Sequence, residues 1–289
     1  MNPIENFILI ILEISEMADF SVCMSVYRND NPQNFITAVQ SVVRQTVPPN
    51  EIIIVVDGPV PDSIDDALYS LSTEIDCIKV IRLKENKGHA IARQTGIEAA
   101  SNDFIAIMDS DDISVANRFE KQLSIFQKYP NITVVGGNIN EFIDNPENVV
   151  DSRVVPQTDN EIKSYLKSRC PMNLMTVMLR KPDIIAVGGY LDWYCEEDYY
   201  LWIRLAINKF QFYNIQDILV NVRVGKEMYR RRGGWRYFKS EAALQRYMWQ
   251  KSIISLPRFV FNVSGRLIIQ VLMPNKVRGF IFQKFFRKS

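Results

Sequence analysis

The chain has 289 residues, of which 47% are hydrophobic and 23% are charged, so it is long enough to bury a sizeable core. Its four cysteines are scattered without a Cys-x-x-Cys pair, which argues against a zinc ribbon or a disulfide framework and fits a reducing compartment. The sequence contains one histidine, His89, which excludes a histidine-rich metal site. No apolar run reaches the roughly 20 residues that a membrane-spanning helix needs.

The net charge of +1 conceals an uneven distribution of charge along the chain. Residues 226–289 carry 15 lysines and arginines against 2 glutamates, so the rest of the chain is acidic. A basic tail of this kind favours an anionic partner, either a nucleic acid or a membrane surface. At the other end, the apolar run 7–12 lacks the basic start and the cleavage site of a signal peptide. We treat 1–18 as an N-terminal extension, and we expect 1–16 to be dispensable or to reflect a misassigned start.

Strands and helices alternate through the first half of the chain. Runs rich in isoleucine and valine predict buried strands at 21–26, 51–56, 78–83, 103–108 and 132–137. Apolar residues at helical spacing predict helices from Pro32 onward and at 62–71, 86–96 and 115–129. Asp62 is the expected cap of the second of these helices. This alternation predicts an α/β fold with a mostly parallel, doubly wound sheet.

The pattern is weaker after residue 140. Helices are predicted at 159–166, 199–208, 237–250 and 257–273. Strands are predicted at 175–179, 212–215 and 219–224. A turn is expected at Gly188-Gly189-Tyr190, and the acidic run Glu196-Glu197-Asp198 precedes the helix at 199–208.

Three carboxylates, Asp109, Asp111 and Asp112, follow directly after the predicted strand at 103–108. A buried strand does not tolerate unpaired carboxylates, so these acids should lie where the strand leaves the sheet, which is where open α/β sheets bind ligands. Asp109 and Asp111 are two residues apart and would point to the same side of an extended chain. Their hard oxygen atoms suit Mg²⁺ or Mn²⁺. The alternative is that Asp112 or Ser114 caps the helix that follows.

Further motifs occur in a fixed order around these acids. They are Ser25-Val-Tyr27, Val55-Val-Asp57-Gly58, Asn86-x-Gly88 with Ala92-Arg93, Met108-Asp-Ser-Asp-Asp112, and Gly188-Gly-Tyr190 leading to Glu197-Asp198. With these motifs the chain resembles the family 2 inverting glycosyltransferases of GT-A fold, over about residues 20 to 224. The Gln-x-x-Arg-Trp motif and the transmembrane helices of processive polysaccharide synthases do not occur in the sequence. The resemblance therefore implies transfer of a single sugar per encounter.

The resemblance implies a nucleotide-sugar site, for which we expect a UDP-sugar. Asp57 would accept a hydrogen bond from N3–H of a uracil or thymine ring, although a turn-forming Asp-Gly is the alternative. Tyr27 would lie against the base or belong to the core. Asn86 and Gly88 would line the site, and Arg93 would contact the diphosphate or pair with one of the acids.

The same resemblance implies a metal site for Mn²⁺ or Mg²⁺. Asp109 would contact the ribose or the donor sugar, and Asp111 would bind the metal that bridges the diphosphate. Asp112 would support this site or cap the next helix. Related enzymes sometimes complete the metal site with a histidine near the end of the chain, which is absent from this sequence, so water or donor oxygens must fill those positions. His89 is expected to line the site without binding metal.

Inverting transfer requires a base that takes the proton from the attacking acceptor hydroxyl. The resemblance assigns this role to Asp198, with Glu197 supporting it. The alternative is that both acids only stabilise the first turn of their helix through its dipole. Glu196 and Glu197 are expected to be solvated residues on the acceptor side or partners of that dipole.

The basic tail mixes aromatic and cationic residues, which suits an interfacial helix on an anionic membrane. Packing on the catalytic domain is the alternative, and the upstream motifs give no support to nucleic-acid binding. The expected arrangement is a catalytic domain at 19–225 and a membrane-binding helical tail at 226–289. The protein would lie at the cytoplasmic face of the plasma membrane and act on a polyprenyl-diphosphate-linked saccharide during surface polysaccharide synthesis.

Two other functions remain open from the sequence. A sugar-1-phosphate nucleotidyltransferase would need a glycine-rich phosphate loop after the first strand, where Tyr27-Arg-Asn-Asp-Asn contains no glycine. A non-catalytic nucleotide-binding partner at the membrane would not need Asp111 and Asp198, both of which are present.

Overall fold

The centre of the fold is one sheet, seen in a computed structural model that describes residues 18–225 and 234–273. The strands of the sheet are β1 (Phe20–Val26), β2 (Glu51–Val56), β3 (Ile78–Arg82), β4 (Phe104–Met108), β5 (Ile113–Ser114), β6 (Ile132–Phe142), β7 (Val149–Arg153), β8 (Met178–Arg180) and β9 (Gln211–Arg223). Their order across the sheet is β3-β2-β1-β4-β8-β6-β9-β5, and β7 pairs with β6.

Helices cover both faces of this sheet. Those in the described ranges are α1 (Pro32–Val43), α2 (Asp62–Glu74), α3 (His89–Ala99), α4 (Arg118–Lys128), α5 (Asp159–Leu166), α6 (Lys181–Ala186), α7 (Glu197–Ile207), α8 (Trp235–Gln250) and α9 (Leu256–Leu267). Apolar side chains of α1, α2 and α4 form a core with one face of the sheet. Those of α3, α5, α7 and α8 form a second core with the other face. The predicted α/β architecture is confirmed.

The first four strands along one side of the sheet are parallel, as the sequence predicted. Strand β1 lies between β2 and β4, and β2 pairs in parallel with β3. All six residues of β2 are buried, which explains its unbroken run of isoleucine and valine between a glutamate and the loop. Val26 at the end of β1 is paired with Val56 at the end of β2, so both strands leave the sheet at the same edge.

The other half of the sheet is mixed, which the sequence pattern did not predict. Strand β8 runs antiparallel between β4 and β6, and β5 runs antiparallel to β9. The two predicted strands at 212–215 and 219–224 form the single strand β9, which is parallel to β6 with shifts in register. Asn138 on β6 donates its side-chain N–H to the carbonyl of Gln216 over 2.7 Å, so polar residues in the middle of β9 remain paired.

Two expected helix caps are wrong. Helix α4 begins at Arg118, after the short strand β5, and the Asp112 carboxylate accepts the backbone N–H of Arg223 over 2.9 Å. Asp112 therefore ties the end of β4 to β9 and does not cap a helix. Asp62 lies in the first turn of α2, and Pro61 occupies the cap position.

The described part of the basic tail packs on the sheet and the helices around it. Leu244 and Met248 of α8 belong to the second core. The indole N–H of Trp193 donates to the carbonyl of Ser240, and the Ser240 hydroxyl donates to the carbonyl of Tyr194. In the described ranges no helix combines the length and the apolar character required to cross a bilayer. Residues 1–17, 226–233 and 274–289 lie outside the described residues. They include nearly all of the N-terminal extension and, from the basic tail, Arg230, Arg231, Arg232, Phe280, Phe282, Phe285 and Phe286.

Candidate active site

The carboxyl ends of β1, β2 and β4 meet at one edge of the sheet because these three strands are parallel neighbours. The loops that follow them carry Tyr27, Asp57 and Asp109. The structure therefore brings together the strand ends from which the sequence predicted a ligand site. Helix α3 begins beside this edge. Its residue Arg93 forms ion pairs with Asp109 at the edge and with Glu197 in the first turn of α7.

Asp57 holds the loop that leads into α3. One of its carboxylate oxygens accepts the backbone N–H of Lys87 over 2.7 Å, and the other accepts that of Gly88 over 2.9 Å. The Asn86 side chain donates to the Asp57 carbonyl over 3.1 Å. At Gly58, whose φ is 86°, a Cβ would lie 2.5 Å from the Asn86 nitrogen, so this close approach of the two loops requires glycine. Each carboxylate oxygen can still accept a further hydrogen bond.

Tyr27 and His89 face each other across the site. Their ring centroids are 6.1 Å apart in an edge-to-face arrangement. Asp30, which sequence reasoning missed, accepts the backbone N–H of Tyr27 over 3.0 Å and the hydroxyl of Ser110 over 2.9 Å. It thereby joins the loop after β1 to the loop after β4. Its position in a polar loop directly after a predicted strand was the signal that could have found it.

Negative charge is concentrated where β4 ends. Asp111 is exposed, yet partial desolvation by the surrounding chain, together with the charges of Asp109 and Asp30, raises its pKa to about 6. Asp112 is fully buried, and burial followed by the charge of Asp111 raises its pKa well above the usual range. Within the described ranges no group of three or more histidine, cysteine, aspartate or glutamate side chains could hold a metal ion. The excess of carboxylate charge and the hard oxygen atoms nevertheless suit a divalent cation with additional ligands from outside the protein.

Arg93 connects the two groups of predicted site residues. Its guanidinium lies 3.2 Å from the carboxylate of Asp109 and 2.7 Å from that of Glu197. Burial alone would lower the pKa of Arg93, but the two carboxylates outweigh burial and raise it. Of the two roles considered for Arg93, the structure contains the pairing with acids. The loop after β4 and the first turn of α7 are thus held together by one buried cation.

Asp198 lies beside this bridge in the first turn of α7. Burial and the neighbouring charge of Glu197 raise its pKa to about 6. The Cys170 thiol donates to one Asp198 oxygen over 3.7 Å, and Arg153 on β7 donates to the Cys170 carbonyl over 2.7 Å. Sequence reasoning missed Cys170 and Arg153, because they come from the irregular segment in which no motif marked them.

Of the two expectations for Glu196 and Glu197, the first, that they are solvated residues on the acceptor side, is wrong. The second, that they are partners of the helix dipole, stays a prediction, since both lie at the start of α7. Glu197 is largely buried against Arg93. Glu196 is buried and accepts the hydroxyl of Tyr237 on α8 over 2.8 Å. Burial, then the charges of Glu241 and Asp198, raise the pKa of Glu196 well above the usual range. Both glutamates therefore fix the start of α7 and are not free to meet an acceptor in solvent.

The predicted turn at 188–190 lies against α3. The Tyr190 backbone N–H donates to the side-chain oxygen of Gln94 over 2.7 Å, and Gly189 adopts a φ of 65°. Tyr190 is buried near Arg93, and its hydroxyl has no hydrogen-bond partner among the described residues. This unpaired hydroxyl is close enough to Arg93, Glu197 and Asp198 to interact with their charges.

The sequence of residues 21–190 matches the model of the glycosyl transferase family 2. An Escherichia coli relative, UDP-Gal:alpha-D-GlcNAc-diphosphoundecaprenol beta-1,3-galactosyltransferase, is 35% identical over 93% of this chain and 97% of its own. The amylovoran biosynthesis glycosyltransferase AmsE of Erwinia amylovora is 32% identical over 92% of this chain and 98% of its own.

A solved structure supports the fold. The mannosyltransferase PcManGT from Pyrobaculum calidifontis, in complex with GDP-Man and Mn²⁺, superimposes with a TM-score of 0.64 at 13% identity. The match covers 92% of this chain and 73% of that chain. The predicted GT-A fold with helices after the catalytic domain is confirmed. By its sequence and its fold, the chain belongs to glycosyltransferase family 2 and is a glycosyltransferase.

Proposed function

We propose that the protein is a metal-dependent inverting transferase that moves one sugar from a UDP-sugar to a hydroxyl of a polyprenyl-diphosphate-linked saccharide. The observation that carries this proposal is the bridge made by Arg93. It holds Asp109, at the expected donor site, and Glu197, next to the expected base, on one guanidinium. Donor and acceptor chemistry are thereby kept in one cleft.

The donor nucleotide would bind at the edge formed by β1, β2 and the start of α3. Asp57 would accept N3–H of the uracil, and Tyr27 would lie against the ring. Asn86 and Gly88 would line the same loop, which the Asp57 carboxylate already holds in place. The choice of UDP is supported by the name of the Escherichia coli relative, which specifies a UDP-Gal donor.

The carboxylates after β4 fit a divalent cation, Mn²⁺ or Mg²⁺. Asp111 would hold it, and Asp109 would contact the ribose or donor sugar. Water and donor oxygens would supply the remaining ligands, since the described residues offer no larger cluster. When bound, such a cation stabilises the negative charge that develops on the leaving nucleoside diphosphate. The carboxylate of Asp30 adds negative charge around this position.

Asp198 would act as the base. The acceptor oxygen attacks the anomeric carbon from the face opposite the leaving group, and the bond from that carbon to the diphosphate oxygen breaks. The proton of the hydroxyl passes to the Asp198 carboxylate. With a pKa of about 6, Asp198 is ionised at neutral pH yet is more basic than an ordinary aspartate. Glu197 supports it by binding Arg93 and raising that basicity.

The acceptor and its location are proposed from the relatives. The name of the Escherichia coli protein specifies a diphosphoundecaprenol-linked acceptor. We propose an acceptor of this class, a catalytic domain at 19–225, and a tail at 226–289 that brings it to the cytoplasmic face of the membrane. Residues 1–18 would be an extension outside the catalytic domain.

The test is turnover of UDP-sugars with Mn²⁺ and a short-chain diphosphate-linked saccharide. Asp198→Asn should lower kcat by about 10²–10⁴ while UDP still shifts the melting temperature in the presence of Mn²⁺. Asp111→Asn should abolish the Mn²⁺-dependent part of that shift. Asp66→Asn, at an exposed carboxylate on α2, is the control and should behave as wild type. Unchanged turnover by Asp198→Asn would contradict the proposed base.

A further inference from the structure

Helix α9 continues into a short π-helix at Ile268–Leu272, and both segments bury polar side chains and expose apolar ones. Their polar residues Asn262 and Gln270 are buried. Their apolar residues on the opposite side are 50 to 72% exposed and comprise Leu256, Val260, Phe261, Ile268 and Leu272. A surface helix of a soluble protein ordinarily does the reverse and turns its apolar stripe to the core. We call these five residues the apolar face of α9.

Specific contacts fix this orientation. The Asn262 side chain donates to the carbonyl of Lys167 over 2.9 Å. Arg266 donates to the Glu241 carboxylate over 2.9 Å and to the carbonyl of Ser168 over 2.7 Å. Turning the apolar face inward would break these bonds and leave a buried ion pair without one partner. The outward apolar face is therefore a consequence of how α9 is attached to the domain.

The spacing of the apolar face matches one side of a helix. Leu256, Val260, Ile268 and Leu272 are separated by multiples of four residues, and Phe261 lies next to Val260. Exposed tryptophans lie near both ends of the face. Trp249 stacks on Phe259 at the start of α9 with ring centroids 5.5 Å apart, and Gly234, which precedes Trp235, donates its N–H to the carbonyl of Gln270. Tryptophan at such positions is typical of a membrane interface.

The two tail helices and the link between them also carry exposed positive charge. Five cationic side chains on α8, on α9 and between them are exposed: Arg236, Lys239, Arg246, Lys251 and Arg258. The acid of the described tail, Glu241, is paired with Arg266. An apolar helix face on a segment with more cations than anions suits a bilayer, whose acyl chains are apolar and whose headgroups can be anionic. A second copy of this chain would instead bring the same cations together, which is unfavourable.

We propose that the apolar face of α9 inserts into the interface of a bilayer that contains anionic lipid. This inference rests on the proposed function, because a lipid-linked acceptor is presented at that surface, and it identifies the helix face that meets the lipid. The polar side of α9 remains attached to the domain. The first turn of α7 would then lie at a fixed distance from the membrane surface.

The test is co-sedimentation of the full-length chain with vesicles of phosphatidylcholine, with and without phosphatidylglycerol. Wild type should bind the anionic vesicles, and Phe261→Glu should bind them roughly tenfold or more weakly, because it places a charge in the apolar layer. Tyr69→Glu on α2 is the matched control, since Tyr69 is 75% exposed and Phe261 is 72% exposed. The control should bind as wild type. A retained UDP-dependent thermal shift would establish that Phe261→Glu is folded.

Two results would overturn the proposal. The first is equal vesicle binding by wild type and Phe261→Glu, or no binding by wild type. The second is a wild-type dimer that Phe261→Glu converts to a monomer in light scattering, with no difference on vesicles, because the face would then join two copies. Vesicle binding is measured without donor or acceptor. Failure of the transferase assay would therefore refute the proposed function and leave this result standing.

Discussion

The two ion pairs of Arg93 give a stability prediction that does not depend on the reaction. Arg93→Met keeps most of the side-chain volume but removes a cation that is 8% exposed and is paired with Asp109 and Glu197. Both carboxylates then stay in the cleft without their cation. Removing one partner of a buried ion pair costs about 3–5 kcal/mol. We expect a loss near the lower end of that range, because the Asp109 side chain is 28% exposed and water compensates part of it.

The assay is reversible denaturant unfolding, supported by thermal melts in which a loss of about 3 kcal/mol lowers Tm by roughly 6–12 °C. Arg82→Met is the matched control, because Arg82 pairs with Asp65 at 2.7 Å but both side chains are about half exposed at 53 and 43%. An exposed pair of this kind contributes about 0–1 kcal/mol. The double variant Arg93→Met with Glu197→Gln should recover part of the loss, since it removes an unpaired carboxylate. Equal destabilisation by Arg93→Met and Arg82→Met would refute the reasoning.

Three further predictions concern α7 and the turn before it. Because Asp198 must be ionised to accept a proton and its pKa is raised to about 6, kcat/KM at saturating Mn²⁺ should fall about tenfold per pH unit below that value. The pKa of Asp111 is also raised to about 6, but a bound cation would keep that carboxylate ionised under these conditions. An acid limb that survives in Asp198→Asn at saturating Mn²⁺ would therefore contradict the assignment. Tyr237→Phe removes the hydroxyl that donates to the buried Glu196 and should lower the free energy of unfolding by about 1–3 kcal/mol, measured with denaturant. Glu196→Gln imitates the protonated carboxyl and should lower it by less. A larger loss for Glu196→Gln than for Tyr237→Phe would disprove this account. Gly189 has a φ of 65°, and Gly189→Ala would place a Cβ 2.1 Å from the side-chain oxygen of Gln94. The melting temperature should therefore drop by several degrees. An unchanged melting temperature would count against the close packing of this turn.

The predictable part of the fold is the part in which local pattern and tertiary environment agree. Strand β2 was predicted from its run of isoleucine and valine. That run suits its environment, because β2 lies between β1 and β3 and all of its residues are buried. The pattern fails at β9, where polar residues in the middle suggested a break. There the register between β6 and β9 shifts, and the side chain of Asn138 donates a hydrogen bond to the carbonyl of Gln216. A partner 78 residues away in sequence cannot be read from the local alternation of apolar and polar residues.

The same division runs through the candidate site. Asp57, Asp109 and Asp111 were predicted because each follows a strand, and parallel strands bring their ends to one edge. Glu196 was expected to be a solvated residue on the acceptor side or a partner of the helix dipole. Its environment is decided by Tyr237, whose hydroxyl comes from a helix 41 residues further on. Sequence reasoning thus identified candidate residues that follow directly from a predicted strand. It missed contacts such as the one from Tyr237, which is contributed by the tail.

The two sides of α9 therefore have different consequences for activity. The polar side holds the domain, since Arg266 binds Glu241 and the carbonyl of Ser168, and Glu241 lies close enough to Glu196 to influence its pKa. Arg266→Met should disturb the start of α7 and lower kcat with any acceptor, including one in water. Phe261→Glu lies on the other side and should lower turnover only when the acceptor is embedded in vesicles. The contradicting result is an equal loss of activity by the two variants on a water-soluble acceptor. The assignment of the polar side of α9 to positioning Asp198, and of its apolar side to contacting lipid, would then be wrong. Both sides of α9 would in that case support the structure of the active site.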